Sequence, residues 1–337
     1  MPSDIANRVV ILGTGGTIAG CAASPTDHVG YTASQRGVAE LLGALTAEAA
    51  IGVEVEQVAQ LDSKDMDHAT WQRLAKRAGH HLARPDVAGV VVTHGTDTLE
   101  ETAWFLHRVL APTKPLVLTA AMRPATALSA DGPQNLIDAL LLARLPTARG
   151  VLVMIGGQAF GALGLRKLHP YRVDAFGSAD GGALGVVEAG VWRGWRDWPS
   201  GQALGLARVQ GDVSAWPQVE IVTSHGGANG GLVQALVATG VNGLVVAGTG
   251  NASRNVALEP SLAQAVAQGV AVWYGTRCAL GATVGQHTAG DSPPDPSLSE
   301  ADTALLSPWQ ARVELLLRLL AQTTVNDTSM LPRVALE

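Results

Sequence analysis

Two short hydroxyl-rich segments hold the residues of this chain that could do covalent chemistry. The first is Gly13-Thr14-Gly15-Gly16-Thr17-Ile18-Ala19-Gly20, directly after the apolar run Val9-Val10-Ile11-Leu12. The second is Thr93-His94-Gly95-Thr96-Asp97-Thr98, directly after Val87-Ala88-Gly89-Val90-Val91-Val92. Short β-branched runs of this kind read as buried strands. Glycine lets other groups approach the backbone closely, so a threonine between glycines has an accessible hydroxyl and N–H neighbours that can hold an oxyanion. Thr14 is therefore the leading candidate nucleophile. The other local reading is a turn residue that caps the next segment. After the second segment, Leu99 to Leu106 have apolar positions at helical spacing, which puts Thr96 and Asp97 between a strand end and a helix start. Thr98 with Glu101 fits a capping box there, and Asp97 with Glu100 fits it one residue earlier. Open α/β sheets bind ligands at that place. Neither segment is a nucleotide loop: the dinucleotide fingerprint needs glycine where Ile18 stands, and the Gly-Lys-Ser/Thr of a P-loop is absent.

The elements that must position these turns alternate regularly. Strands are expected at 8–13, 51–60, 87–93, 115–120 and 149–155, with helices at 34–46, 67–84, 98–110 and 133–145 between them. Pro133 at a first helical position supports the last helix. Single helices between strands imply parallel βαβ units and a doubly wound sheet. Residues 156–214 are rich in glycine and tryptophan and weakly periodic, so small strands and a linker are expected. The alternation then resumes with strands at 219–222, 243–247 and 270–274 and helices at 228–238, 254–268 and 308–323. The fold class is α/β, with a larger N-terminal doubly wound domain over 1–205, a linker over 206–216 and a smaller C-terminal α/β domain over 217–337. Asp291 to Pro296 reads as a surface loop.

Composition narrows the function classes. The chain has 337 residues, 47% hydrophobic and 15% charged, which suits a globular protein of two ordinary domains. A net charge of −6 without a Lys/Arg run argues against a nucleic-acid surface. No apolar stretch is long enough to span a bilayer, so no membrane is expected. Asp4 and Arg8 precede a strand that runs straight into the glycine turn, unlike a signal peptide, so a cytoplasmic location is expected, or a periplasmic one if a leader has been removed. Cys21 and Cys278 make no disulfide or metal framework, and the histidines lack metal spacing, so no metal is expected.

The two hydroxyl segments, with Ala121-Met122-Arg123-Pro124, Ser129 to Leu136, Gly248-Thr249-Gly250-Asn251 and Gly281-Ala282-Thr283, resemble the bacterial-type L-asparaginases and glutaminase-asparaginases over nearly the whole chain. The resemblance implies an amidohydrolase that converts L-asparagine to L-aspartate and ammonia through a threonine nucleophile and an acyl-enzyme, without a cofactor. The implied alternative is a glutaminase-asparaginase. An amidase of another substrate and a non-catalytic amino-acid-binding protein are rivals from further classes. The resemblance implies Thr14, Tyr31, Thr96, Asp97 and Lys167 as catalytic residues, with Tyr31 beside Thr14 on a loop that closes over the substrate. A lysine acts as a base only where burial or nearby cations lower its pKa; otherwise Lys167 is a surface charge. Gly13, Asp62, Ser63, Lys64, Gly95, Thr96, Asp97, Ala121 and Asn251 are the implied substrate contacts. Ser63 would meet the α-carboxylate, and the backbone of Ala121 and Met122 the side-chain amide. Lys64 departs from the family, which has glutamine or glutamate there to contact the α-amino group. An ammonium cannot accept a hydrogen bond from another, so Lys64 turns either to the carboxylate or to solvent. The family's glutamate that meets the tyrosine falls near Gln286-His287-Thr288, where this chain has no carboxylate. A homotetramer of intimate dimers is also implied, with Asn251 reaching a neighbour's site.

Overall fold

Residues 8–43, 45–285, 288–289 and 299–328 are described by a computed structural model of the chain. The chain divides into two compact units after Leu206.

The first unit is built on an eight-stranded sheet. Its strands are β1 (Arg8–Gly15), β2 (Val53–Leu61), β3 (Val87–Thr93), β4 (Pro115–Thr119), β5 (Gly150–Ile155) and β6 (Gln158–Gly161), with β9 (Gly185–Glu188) and β10 (Val191–Gly194). A separate two-stranded ribbon is made by β7 (Leu165–Lys167) and β8 (Phe176–Ser178). The sheet order is β10-β9-β6-β5-β4-β3-β1-β2. Strands β1 to β5 are parallel, and the other three extend the edge antiparallel. The helices are α1 (Val38–Gly43), α2 (Ala47–Ala50), α3 (His68–Leu82), α4 (Leu99–Leu110) and α5 (Gly132–Arg144). Strand β1 lies between β2 and β3, so the chain leaves β1 to one side and crosses back to the other. That makes the carboxyl ends of β1 and β3 the switch point where open α/β sheets take ligands.

The packing follows from the apolar strand runs. Val9, Ile11, Val91 and Val117 pack against Ile18, Leu136, Ala139 and Leu140, so α5 covers one face beside the first turn. Trp71 of α3 stacks on Phe105 of α4, their ring centroids 5.1 Å apart. Burying a Val, Leu or Phe side chain contributes ~1.5–3 kcal/mol, so these helices hold the strand ends that carry the turns.

Two helix expectations change. The helix expected over 34–46 is cut to Val38–Gly43 and a separate α2. Ser34 takes a left-handed backbone, φ 59°, and its hydroxyl is committed to the first turn. Helix 254–268 begins as a 3-10 turn, Val256–Leu258, and becomes α7 (Glu259–Ala267), with Pro260 in the first turn. Proline suits that position because it has no N–H to place.

The second unit has a four-stranded sheet in the order β11 (Val219–Thr223), β12 (Gly243–Gly248), β13 (Ala271–Thr276) and β14 (Thr288–Ala289), the last antiparallel. Helix α6 (Gly231–Ala238) packs with α7 and the sheet, around Val233, Leu244, Val246 and Leu262. Helix α8 (Glu300–Leu305) follows, and α9 (Pro308–Thr328) crosses the three parallel strands. Among the described residues no helix is long and apolar enough to cross a membrane. Asp291 to Pro296 lie outside the described residues.

Candidate active site

Three turns meet at the switch point, and glycine permits it. A Cβ on Gly16 would stand 2.4 Å from the nitrogen and Cα of Gly95. A Cβ on Gly95 would stand 2.4 Å from Ser63 Oγ. Neither distance is possible for a real side chain, so the backbones after β1 and β3 touch only because both positions are glycine. The residues that follow the two touching glycines are Thr17 and Thr96.

Thr14 does not present its hydroxyl to this site. Strand β1 runs on through Gly15, two residues past its expected end, and carries Thr14 into the sheet. There the residue is 1% exposed, and Thr14 Oγ1 donates to the Thr93 carbonyl at 2.9 Å. Thr17 instead opens the 3-10 turn Thr17–Ala19, and its Oγ1 lies 2.7 Å from the Tyr31 hydroxyl. Tyr31, expected beside Thr14, thus sits beside Thr17. Backbone hydrogen bonds between Cys21 and Thr32, 3.0 and 2.9 Å, close the base of the segment that carries Tyr31. Ser34 Oγ accepts the Gly16 N–H at 2.8 Å and donates to the Leu61 carbonyl at 2.6 Å, tying the first turn to the end of β2.

Around the second turn, Lys167 Nζ donates to Thr96 Oγ1 at 2.9 Å and to Asp97 Oδ1 at 2.7 Å. Ser63, in the short turn after β2, accepts the Asp97 N–H at 3.1 Å, and its carbonyl accepts from Thr98 Oγ1 at 2.8 Å. The expected capping box does not form. Thr98 is the N-cap residue of α4 but makes no side-chain cap, because its hydroxyl is turned to Ser63. Asp97 faces Lys167, and Glu100 Oε2 accepts the Lys167 backbone N–H at 3.0 Å. Burial pushes the Glu100 carboxyl up to about 7, against lowering by the Lys167 N–H, Arg166 and Lys167. His94 is fully buried, and desolvation holds its pKa down to about 4. The Gly95 carbonyl can only accept, so His94 Nδ1–H donates to it at 2.7 Å and the neutral ring's Nε2 accepts from Thr102 Oγ1 at 3.0 Å. Thr102 Oγ1 in turn accepts from Trp71 Nε1 at 2.8 Å. His94 is a neutral pillar under the turn.

Residues 8–198 match the family description "Asparaginase, N-terminal", and residues 218–329 match "Glutaminase/Asparaginase C-terminal domain". The chain belongs to the asparaginase family. It is 36% identical to L-asparaginase 2 of Bacillus subtilis over 95% of this chain and 84% of that one. It is 33% identical to the glutaminase-asparaginase of Pseudomonas fluorescens biotype A over 97% and 89%. The crystal structure of a probable cytoplasmic L-asparaginase from Campylobacter jejuni superimposes with a TM-score of 0.82 at 35% identity, covering 93% of this chain and 95% of that one.

Other residues singled out from the sequence of this asparaginase-family chain are placed less directly. Gly13 lies within β1 against Val38 and Gln57, a packing position rather than one on the turn. Lys64 Nζ donates to Asp62 at 3.2 Å and Asp65 at 2.7 Å, and its side chain is 61% exposed. These carboxylates hold its ammonium above the ordinary lysine range, Asp65 contributing most. Ala121 and Met122 are buried, and Asp131 accepts the N–H groups of Met122 and Arg123 at 2.9 and 3.0 Å. Asn135 Nδ2 donates to the Ala120 carbonyl at 2.9 Å, so two side chains of the α5 start fix that backbone. In the second unit, Asn251 exchanges two hydrogen bonds with the Val284 backbone, 2.8 and 2.7 Å. Gln286 and His287 lie outside the described residues. Sequence reasoning missed Thr17 as the presented hydroxyl, and Ser34, Glu100, Asp131 and Asn135 as groups that hold the turns. No local signal separates Thr17 from Thr14, because both stand in the same glycine turn and which one is presented depends on how far β1 runs.

Proposed function

We propose that the protein hydrolyses L-asparagine to L-aspartate and ammonia, with Thr17 as the nucleophile. The observation that carries this reading is the Gly16–Gly95 contact, which sets the Thr17–Tyr31 pair beside the Thr96–Lys167–Asp97 group. Thr17 Oγ attacks the side-chain amide carbon, and backbone N–H groups of the two turns hold the oxyanion. Tyr31 orients the Thr17 hydroxyl, whose proton ends on the departing ammonia. Water then attacks the Thr17 ester, one proton returns to Thr17, and Thr96 with Lys167 positions that water and relays its proton. Ser63 Oγ accepts from Asp97 and keeps its own proton to donate to the substrate α-carboxylate. Asp97 faces the α-ammonium, and the Ala121 carbonyl receives the amide.

Ammonia release from L-asparagine, L-glutamine and buffer alone tests this reading. Turnover of asparagine is expected. Faster release from glutamine would favour the glutaminase-asparaginase reading, which the Pseudomonas relative's name supports, and no release would leave a binding protein. The name of the Campylobacter protein supports a cytoplasmic location, which cell fractionation checks. The family likeness supports a tetramer in which Asn251 reaches a neighbour's site. An active monomer in light scattering would defeat that arrangement.

A further inference from the structure

We infer that Glu100 is a positioning residue of the reaction: its carboxyl oxygen fixes the backbone of Lys167 and so keeps the lysine ammonium beside Thr96 and Asp97. The inference rests on the role of Lys167 given above. Glu100 lies in the first turn of α4, where an acidic side chain is favoured from solvent. Here it is only 9% exposed, and burial of a carboxyl is unfavourable unless hydrogen bonds offset it. What it reaches is the Lys167 N–H, at 3.0 Å.

Strand β7 needs that contact. It is three residues long and, among the described residues, pairs with β8 alone, outside the main sheet. Leu168 donates its N–H to the Ala175 carbonyl at 2.6 Å. Successive N–H groups of an extended strand point to opposite sides, so the Lys167 N–H faces away from β8 and finds no ladder partner there. Glu100 supplies the acceptor. Thr96, Asp97 and Glu100 all follow β3 within one short segment, so a single turn grips the lysine at both ends. Two residues hold Nζ, and the third holds the backbone.

Glu100→Leu removes the acceptor, whereas Glu100→Gln keeps an acceptor oxygen and drops the charge. Both are compared with wild type and Lys167→Met in asparagine hydrolysis, and amide hydrogen exchange is followed at Lys167. A misplacement of about 1 Å costs a rate of order 100-fold, so Glu100→Leu is expected to lower kcat by ~10- to 100-fold while KM changes by less than about threefold. Exchange at the Lys167 amide is expected to quicken by about tenfold or more as that N–H opens. Glu100→Gln is expected to restore kcat and exchange nearly to wild type. Wild-type kcat in Glu100→Leu, or unchanged exchange at Lys167, overturns the inference. If Glu100→Leu does not fold, a Glu100→Gln enzyme as inactive as Lys167→Met overturns it too. An inactive wild type or a fully active Lys167→Met removes the functional reading instead, and exchange at Lys167 still decides whether Glu100 holds that backbone.

Discussion

The turns after β1 and β3 each present a threonine, but the partners that serve the two hydroxyls are held very differently. The partner of Thr17 is Tyr31, on a surface segment closed at its base by the Cys21–Thr32 backbone pair, with Val29 79% exposed near its tip. The partner of Thr96 is Lys167, itself held by Asp97, with Glu100, His94 and Thr102 buried beneath. Segments with few buried contacts open at low free energy, whereas packed ones open only with the domain. On the function proposed above, substrate entry falls to the Tyr31 side and fixed geometry to the Lys167 side. Two residues of one type, a backbone contact apart, are given unequal freedom by what lies beneath them.

The largest expected effect would break the comparison at its first member. Thr17→Val should cut asparagine hydrolysis by ~10³-fold or more, as for loss of a nucleophile. Thr14→Val should keep most turnover and lose ~1–3 kcal/mol of stability, because the buried Thr93 carbonyl loses its donor. Ammonia release and urea unfolding measure the two, and the reverse pattern would return the nucleophile to Thr14. On the other side, Thr96→Val and Lys167→Met should each cost ~10²–10³-fold, with the double variant little worse, since groups acting as one relay are non-additive. Additive losses would separate the lysine from Thr96.

Smaller effects sharpen the contrast. The folded-state pKa of Glu100, about 7, lies above its ordinary 4.5. Between those values the folded protein keeps a proton that the unfolded chain has released, so this contribution is full below pH 4.5 and is lost as pH rises through 7. Glu100→Gln escapes that loss. Its stability relative to wild type should rise from pH 5 to pH 8 by up to ~3 kcal/mol, from 1.36 kcal/mol per pKa unit. Denaturant midpoints at the two pH values check it, and a flat difference would show a Glu100 that does not titrate there. Lys64→Gln should be the mildest change, with KM within about twofold, because an exposed lysine between carboxylates contributes little. A several-fold rise in KM would bring Lys64 to the substrate.

The alternation of apolar runs with helical spacing made the parallel sheet, its helices and the second α/β unit legible, because periodicity reports which face each segment buries. It also put Thr96 and Asp97 at a strand end, where they lie. The choice between Thr14 and Thr17 was not legible. It turns on where β1 stops, and that is set by pairing with β2 and β3 rather than by the eight residues of the strand itself. The antiparallel edge from 158 to 194 was legible only as weakly periodic chain, since very short strands carry too few residues to show a period.

The chain alone determined the residue types at the site: glycines small enough for two backbones to touch, hydroxyls beside them, and a lysine far along the sequence. Only the tertiary structure decided which hydroxyl is presented, and that Glu100 spends its carboxyl on a strand instead of a helix cap. Both outcomes depend on hydrogen-bond partners about 65 to 80 residues away, Thr93 for Thr14 and Lys167 for Glu100. A local pattern can say that a side chain needs a partner, but a packed fold decides which one lies within 3 Å.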